Sequence, residues 1–366
     1  MSARRADKEQ GEGLYQEALR RQKAGRWERA RPLWERLAQR DDYRDRAQPW
    51  LDAYRRFDDK IVLAYYYIWF KPESFDASRP GALEAMRDIH PVLGAYDSRS
   101  PAVIEAHVKM AKKAGLDAFA VSWWAGPEQS DTLARVVEIG AAHGLRSCID
   151  LEACDQPMPK IEEALRYFLS TYQDDRRMLR KEDKPVVLAW GTWQHPPAAW
   201  QSLFDRLKAE GLEGYYLPSE QGDRGYLGPL RGLETYTLVD VEDDRLADYF
   251  KTLAAHVRAY NETPQGQARP AQWDATLMPG FDERGIPGRE YGPGGAGWKD
   301  RRNGAYYRHT LEAALASDPD WLHVTSFNEL AEHSHIEPME EFGDQYLDLT
   351  AEFARAFKAT AFRGLL

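Results

Sequence analysis

Short apolar runs alternate along most of this chain with longer stretches in which apolar residues recur every three or four positions. The runs are almost continuously apolar, as expected of parallel strands that are buried on both faces. The longer stretches have the period of helices that pack one face against a sheet. The predicted strands cover residues 61–67, 117–123, 146–152, 185–190, 214–217, 233–238, 275–279 and 321–326. The predicted helices cover residues 102–114, 132–143, 160–172, 198–210, 245–260 and 304–316, followed by a last helix from residue 344.

Eight alternating units of this kind predict a (β/α)8 TIM barrel, an α/β fold whose parallel strands close on themselves. No Gly-x-Gly-x-x-Gly or Gly-Lys-Ser/Thr signature follows a predicted strand, which argues against a nucleotide-binding sheet. Two irregular Gly-containing stretches, 220–230 and 281–297, each follow a predicted strand. We therefore expect both at the end of the barrel that carries catalytic residues.

The N-terminal residues have a different pattern. Residues 1–12 are polar and are predicted to be loose. Residues 14–57 have the spacing of a single tetratricopeptide-like helix pair, with Trp27 and Trp34 filling the groove between the helices. One such pair cannot bury its own apolar face, so we expect that face to pack on the barrel, a protein partner or a second copy of the chain. The predicted domains are a helical extension at 1–57 and the barrel at 58–366.

Composition narrows the classes of function. Of the 366 residues, 43% are hydrophobic, and the formal net charge is −10 without a long Lys/Arg run, so nucleic acid is not an expected partner. Cys148 and Cys154 do not indicate a disulfide framework. The chain opens without the apolar stretch of a signal peptide, and no run of roughly 18 apolar residues predicts a membrane span. We expect a cytoplasmic protein, or a secreted or periplasmic one if a signal was removed.

Acidic residues cluster directly after the eighth predicted strand. Glu329, Glu332 and Glu337 fall within nine residues of one another. A (β/α)8 barrel carries its catalytic groups at such strand ends, and we predict Glu329 and Glu332 as the catalytic pair. The alternative is that these acids favour the N-terminus of a following helix through its macrodipole.

Aromatic and polar residues also stand at the other predicted strand ends. Aromatic residues make up 12% of the chain, and although most must pack in the core, Trp and Tyr at a rim can stack on sugar rings. Cleavage of a glycosidic bond needs one acid for the departing oxygen and a second carboxylate at the anomeric side. The sequence therefore predicts an oligosaccharide or polysaccharide substrate and no cofactor. The residues at these ends are Tyr65, Tyr66, Tyr67, Trp69, Ser122, Trp123, Trp124, Glu152, Trp190, Thr192, Trp193, Tyr236, Asp282 and Arg284.

Several short motifs follow one another along the predicted barrel. They are HPVLGAYDS at 90–98, Pro101, His107, AGLD at 114–117, VSWW at 121–124, LE at 151–152, Tyr236, PGFD at 279–282 and SFNE at 326–329. In this order they resemble the signature of glycoside hydrolase family 99, the endo-α-mannosidases, with relatives in family 71 and among bacterial polysaccharide-locus proteins. The resemblance covers residues 61–337 and leaves out the N-terminal helices.

This resemblance implies a (β/α)8 barrel without a metal that cleaves internal α-mannosidic linkages with retention of configuration. It implies that the sugar's own 2-hydroxyl is the nucleophile and that the reaction passes through a 1,2-anhydro intermediate. Glu329 matches the residue that deprotonates this hydroxyl, and Glu332 matches the acid that later acts as base. Glu152, Tyr236 and Arg284 match positions that hold the sugar. The predicted substrate-binding set is Tyr66, Trp69, Trp123, Trp124, Glu152, Tyr236, Arg284, Asn328 and His335.

Two parts of the acidic stretch depart from the family pattern Asn-Glu-Trp-His-Glu-Gly-Thr-Gln-Ile-Glu-Pro. Leu330 and Ala331 replace Trp-His, and His-Ser-His at 333–335 replaces Gly-Thr-Gln. These changes bear on mannose specificity and keep a second hypothesis open, a non-hydrolytic glycan-binding or polysaccharide-assembly protein on the same barrel. His333 and His335 could suggest a metal with Glu337, but two histidines separated by one loop residue are weak spacing, and no metal is predicted.

Overall fold

The computed structural model describes residues 2–76, 84–86, 89–288 and 297–366, with side chains from residue 7 onward except at position 84. Part of the second irregular stretch, including Pro293, lies outside the described residues. The chain divides into two compact units, one of Met1–Lys60 with Arg355–Leu366 and the other of Ile61–Ala354. The predicted domain boundary differs from this division because it left the C-terminal residues in the barrel.

The first unit begins with three helices, α1 (Ser2–Lys23), α2 (Trp27–Ala38) and α3 (Arg44–Asp59). The prediction that residues 1–12 are loose was wrong, because α1 begins at Ser2. This segment is rich in Ala, Arg, Lys, Glu and Gln, which have high helix propensity despite their polarity.

The tryptophan-lined face of α2 is covered within this unit. Trp34 is fully buried and stacks on Trp50 of α3, with ring centroids 4.7 Å apart and planes 8° apart. Trp27 lies against Phe57 and the C-terminal Phe362, at 5.3 and 5.9 Å between ring centroids. This face is thus covered by α3 and by C-terminal residues that the prediction had assigned to the barrel. Association with a protein partner or a second copy stays a prediction.

The second unit contains all eight predicted strands, together with three short strands that were not predicted. In chain order the strands are β1 (Val62–Tyr66), β2 (Ala118–Trp123), β3 (Arg146–Glu152), β4 (Arg180–Lys181), β5 (Lys184–Trp190), β6 (Tyr215–Ser219), β7 (Gly232–Leu233), β8 (Gln272–Leu277), β9 (Phe281–Asp282), β10 (Trp298–Lys299) and β11 (Trp321–Val324). The strand predicted at 233–238 is reduced to β7, because Glu234 pairs instead with Gln221 in an isolated antiparallel bridge.

The remaining helices follow the predicted pattern, with one short addition, α9. They are α4 (Pro101–Lys113), α5 (Pro127–Ala142), α6 (Met158–Tyr172), α7 (Pro197–Ala209), α8 (Leu246–Asn261), α9 (Pro264–Ala268), α10 (Ala305–Ser317) and α11 (Gln345–Ala359). Four of them begin with proline, whose fixed φ and missing N–H suit the first helical position. Within the described part of the chain, no helix combines the length and apolar character needed to cross a membrane.

The parallel strands form one curled sheet in the order β6-β5-β3-β2-β1-β11-β8-β7, with β4 added antiparallel to β5. Strand residues such as those of β1 and β2 are buried throughout, which accounts for their continuous apolar runs. At the outer ends of this order, the Arg231 N–H donates to the Tyr216 carbonyl at 2.8 Å, without a strand ladder between β6 and β7. The fold is thus a mixed α/β fold built on a curled parallel sheet.

Candidate active site

A cavity of 960 Å³ opens where the parallel strands end. Ligand pockets commonly measure about 300–1,000 Å³, so this cavity lies at the upper end of that range. The segments after several strands contribute to its wall. Among its lining residues are Tyr67, Trp69, Trp124, Asp150, Glu152, Trp190, Glu220, Tyr236, Glu329, Ala331 and Glu332.

Residues 326–337, which we call the acidic loop, follow β11 and are held against the end of β1. The Asn328 side chain accepts a hydrogen bond from the Tyr67 N–H at 2.7 Å and donates one to the Tyr67 carbonyl at 2.9 Å. The Ser326 hydroxyl accepts from the Glu329 N–H at 2.6 Å. Asn328 is therefore a buried anchor of the loop and does not line the cavity, which corrects its assignment to the substrate-binding set.

A partly buried arginine holds the second half of the acidic loop. Arg301 donates to the backbone carbonyls of His333 and His335, both at 2.8 Å. Its guanidinium also lies over the rings of Phe342 and Tyr346, at 5.2 and 4.6 Å from their centroids. The loop conformation thus depends on a cation that bonds to its backbone.

The last acid of the loop belongs to a buried network of its own. Glu337 is fully buried and accepts from the Tyr96 hydroxyl at 2.8 Å, with His107 Nε2 at 3.1 Å from its other oxygen. The Tyr66 hydroxyl bonds to the other ring nitrogen of His107 at 3.0 Å. Tyr66 is therefore turned away from the cavity into this network, which corrects its predicted role in substrate binding.

The predicted catalytic pair, by contrast, reaches the cavity. Glu329 and Glu332 both line it, and Glu332 Oε2 accepts a hydrogen bond from the Tyr236 hydroxyl at 2.9 Å. The Tyr236 and Tyr67 hydroxyls are 2.6 Å apart. Burial and the neighbouring carboxyl groups raise the pKa of both tyrosines well above the ordinary value of 10.0, so both remain protonated.

Two further carboxyl groups form the cavity floor, which we define as Asp150 and Glu152 of β3. They are separated by one residue along the strand and therefore face the same side of the sheet. Burial raises the pKa of Glu152 to about 7, although a hydrogen bond from the Ser122 hydroxyl opposes the shift. Burial, followed by the charges of Glu152 and Glu234, raises the pKa of Asp150 well above its ordinary value. The surroundings of the floor thus favour the neutral form of both carboxyl groups.

Aromatic side chains supply the flat surfaces of the cavity. Trp69, Trp124 and Trp190 all line it, and the indole N–H of Trp190 donates to Glu220 at 2.8 Å. The chain after Trp190 turns at Gly191, whose φ is +84° and where an added Cβ would lie 2.4 Å from the Cys154 nitrogen. Only glycine fits this close approach of the segments that follow β3 and β5.

Three other predicted substrate-binding residues do not line the cavity. Trp123 is fully buried beside Phe168 of α6, because its side chain projects from the opposite face of β2 to that of Ser122. Arg284 bonds to Asp282 at 2.7 Å and lies over the Trp298 ring. His335 is buried and stacks on the Phe342 ring, which removes it from the site.

The histidine pair of the acidic loop does not assemble a metal site. His333 bonds to the Ala85 carbonyl at 2.7 Å, and its ring centroid is 6.3 Å from that of His335. Glu337 is engaged with Tyr96 and His107. Across residues 2–76, 84–86, 89–288 and 297–366, no group of three or more His, Cys, Asp or Glu residues is arranged to hold a metal ion.

Several lining residues were absent from the predicted set, among them Tyr67, Asp150, Trp190 and Glu220. Tyr67 and Trp190 stand at predicted strand ends but were not selected. Glu220 opens the irregular stretch 220–230 that was expected at this end, but it was not named as a site residue, and Asp150 was not considered. The period of two along β3 would have indicated Asp150, because Glu152 was already predicted to face the site. Glu220 directly follows β6, which is the position shared by the other site residues.

Comparison with protein families matches residues 69–350 to the model described as glycosyl hydrolase family 99. The resemblance predicted from the motifs is thereby confirmed. The chain is 23% identical over 305 residues to a glycoprotein endo-alpha-1,2-mannosidase-like protein of Danio rerio, a match that covers 73% of this chain and 66% of the relative. It is also 23% identical over 343 residues to the glycoprotein endo-alpha-1,2-mannosidase of Rattus norvegicus, covering 79% of this chain and 70% of the relative. A third relative, from Mus musculus, is covered over 59% of its length, so the chain spans only about two thirds of these proteins.

Solved structures show the same fold. The family 99 endo-alpha-mannosidase of Bacteroides thetaiotaomicron superimposes with a TM-score of 0.66 at 23% identity, over 83% of this chain and 99% of that chain. A protein described as glycoside hydrolase-like superimposes with a TM-score of 0.61 at 15% identity, over 81% of this chain and 94% of that chain. At these identities the likeness concerns the fold.

Proposed function

The chain belongs to glycosyl hydrolase family 99, and from this premise we propose that it is an endo-acting, retaining glycoside hydrolase of α-mannosidic linkages. Its substrate is an oligosaccharide or polysaccharide, and the endo-alpha-1,2-mannosidase names of its relatives support an α-1,2 linkage. The observation that carries the proposal is the presence of Glu329 and Glu332 in one cavity, with Tyr236 hydrogen-bonded to Glu332. Three tryptophans in the same wall support a sugar ligand.

In the first step of the proposed mechanism, Glu329 takes the proton of the sugar's 2-hydroxyl. The oxygen attacks the anomeric carbon and forms a 1,2-anhydro ring, while Glu332 gives its proton to the departing glycosidic oxygen. Because Tyr236 donates to Oε2 of Glu332, Oε1 is the oxygen that carries the transferred proton. Tyr67 in turn bonds to Tyr236 and fixes the orientation of its hydroxyl.

In the second step Glu332, now ionised, takes a proton from water. The water oxygen attacks the anomeric carbon and opens the three-membered ring, and Glu329 returns its proton to the 2-oxygen. Two inversions at the same carbon give net retention. Both carboxyl groups end the cycle in their starting protonation states, so no other group is required to supply or remove protons.

We also propose that the curled sheet acts as a closed (β/α)8 barrel. The Arg231 N–H to Tyr216 carbonyl bond and the Gln221–Glu234 bridge support this closure, because both join the segments at the ends of the strand order. A closed barrel would hold the floor residues on β3 and the acidic loop after β11 at a fixed separation. Catalysis by two groups depends on such fixed positions.

The proposal is tested by incubating the protein with α-1,2-linked mannotetraose, α-mannans, α-glucans and bacterial exopolysaccharides. Products are separated by chromatography, and the anomeric configuration is followed by NMR at early times. We expect shorter oligosaccharides that are released first as the α-anomer. A double variant, Glu329→Gln with Glu332→Gln, serves as the control for contaminating enzymes.

Three outcomes would contradict the proposal in different ways. Products released first as the β-anomer would exclude retention, and release of single sugars from chain ends would exclude endo cleavage. Binding without cleavage of every glycan in the panel would favour the hypothesis of a non-hydrolytic glycan-binding or polysaccharide-assembly protein.

A further inference from the structure

Asp150 combines deep burial with an incomplete set of hydrogen bonds. Its side chain is 2% exposed, and its Oδ2 is 3.4 Å from the Ser219 hydroxyl. Its Oδ1 is buried and has no hydrogen-bond partner among the described residues. A buried polar atom without a partner destabilises a folded protein, so such an atom requires an explanation.

The other buried aspartate in the interior of the sheet is different. Asp274 of β8 is 1% exposed, and both of its oxygens accept from the Gln272 amide at 2.7 Å. It also lies 3.4 Å from His323. Asp274 does not line the cavity, whereas Asp150 does. The aspartate without a full set of partners is thus the one that faces the space where a ligand would bind.

We propose that Asp150 is a further substrate-binding residue, whose free carboxyl oxygen forms a hydrogen bond with a hydroxyl group of the sugar at the bottom of the cavity. Glu152, two residues further along β3, faces the same space and would contact the same sugar. The inference rests on the proposed glycosidase function, and it adds a residue that neither the catalytic pair nor the family motifs supply.

The protonation state of Asp150 decides which hydrogen bonds its carboxyl group can form. Burial and the charges of Glu152 and Glu234 favour the neutral acid by raising its pKa. A neutral carboxyl group can donate one hydrogen bond and accept others, so it can serve a sugar hydroxyl in either sense. An ionised group could only accept. Asparagine has the shape and the donor of the neutral acid and is therefore the conservative replacement.

The experiment compares Asp150→Asn and Asp150→Leu with the wild-type protein, and Asp274→Asn is the matched control. Kinetics are measured with α-1,2-linked mannotetraose, and melting temperatures are measured without ligand. We expect Asp150→Leu to lower kcat/KM by about 5- to 150-fold, as for a buried group left without its partner. Asp150→Asn should stay within a few fold of wild type. In the free protein, neither Asp150 variant should melt below wild type, whereas Asp274→Asn should.

The two arms separate failure of this inference from failure of the proposed function. Wild-type kinetics in Asp150→Leu would overturn the inference while leaving the glycosidase activity intact, as would an Asp150→Asn variant as impaired as Asp150→Leu. If the wild-type protein cleaves none of the glycans, the proposed function fails. In that case the melting temperatures still test the inference about Asp150. A lower melting temperature for Asp150→Leu than for wild type would make Asp150 a structural residue.

Discussion

The acidic loop and the cavity floor both bring buried carboxyl groups to the end of the sheet, but the hydrogen bonding of these groups differs between the two regions. In the loop, Glu337 accepts hydrogen bonds from Tyr96 and His107, and Asn328 and Arg301 hold the backbone on either side of the proposed catalytic pair. On the floor, Asp150 retains an oxygen without a partner, and burial raises the pKa of Glu152.

This difference separates polar groups that stabilise the fold from those that act on a ligand. A buried carboxyl group with a complete set of partners contributes to stability, whereas one without them destabilises the free protein and is retained for another reason. Groups that only fix the loop should change stability more than catalysis. Groups that face the cavity should change activity, or the pH dependence of stability, more than they weaken the fold.

The largest effect is expected from the proposed catalytic pair, Glu329 and Glu332. Glu332→Gln and Glu329→Gln should each lower kcat/KM for mannotetraose by about 10²–10⁴-fold, the range of general acid–base catalysis. Both residues line the cavity, so the melting temperature should change little. An aryl α-mannoside with a good leaving group separates the two roles, because its departing oxygen needs no proton. On this substrate, Glu332→Gln should keep the wild-type rate of the first step, whereas Glu329→Gln should lower that rate.

Near wild-type rates in both variants would make the assignment wrong. A large fall in melting temperature for either variant would instead show that the glutamate stabilises the fold. Stopped-flow release of the aryl group and thermal unfolding measure the two quantities on the same protein samples.

An intermediate effect is expected from Glu152, and it depends on pH. Its pKa rises from an ordinary value of 4.5 to about 7 on folding, so the folded state binds its proton more tightly than the unfolded state. Stability from this group is therefore complete below pH 4.5 and is lost as the pH rises towards 7. At about 1.4 kcal/mol for each pKa unit, the loss reaches about 3 kcal/mol.

Glu152→Gln cannot ionise and should remove this part of the pH dependence. In urea unfolding, the variant should be more stable than wild type by about 3 kcal/mol at pH 8 and of similar stability at pH 4.5. Ser122→Ala is a useful companion, because it removes the hydroxyl that hydrogen-bonds to Glu152 without removing the carboxyl group. A difference between Glu152→Gln and wild type that is the same at all pH values would contradict the burial of a titrating group.

Much of the fold could be predicted because buried parallel strands appear in the sequence as continuous apolar runs. The eight continuous apolar runs each correspond to a strand, and the periodic stretches between them correspond to helices. The exception at 233–238 depends on the pairing of Glu234 with Gln221, a contact with no local signal. The cover on Trp27 was missed for a related reason, since part of it comes from Phe362, more than 300 positions away in the sequence.

The prediction placed the site at the correct strand ends, but it did not tell which residues at those ends face the cavity. Neighbouring residues on a strand point to opposite sides, and runs such as Tyr66-Tyr67 and Trp123-Trp124 offer the same chemistry to both sides. The cavity is lined by Tyr67 and Trp124, while Tyr66 and Trp123 are buried on other faces. Deciding between such neighbours requires the register of the sheet, which the sequence alone does not supply.

The smallest effect is expected from Asn328, which anchors the acidic loop without facing the cavity. Asn328→Ala removes both hydrogen bonds to the Tyr67 backbone. At about 0.5–1.5 kcal/mol for each bond, the free energy of unfolding should fall by about 1–3 kcal/mol. Because Ser326, Arg301 and Glu337 still hold the loop, kcat/KM should fall only a few fold, far less than for Glu329→Gln. Asn328→Asp is the matched control, since it keeps the acceptor for the Tyr67 N–H but loses the donor to the carbonyl. Urea unfolding and steady-state kinetics on the three proteins distinguish an anchor from a substrate-binding residue, because loss of activity without loss of stability would return Asn328 to the site.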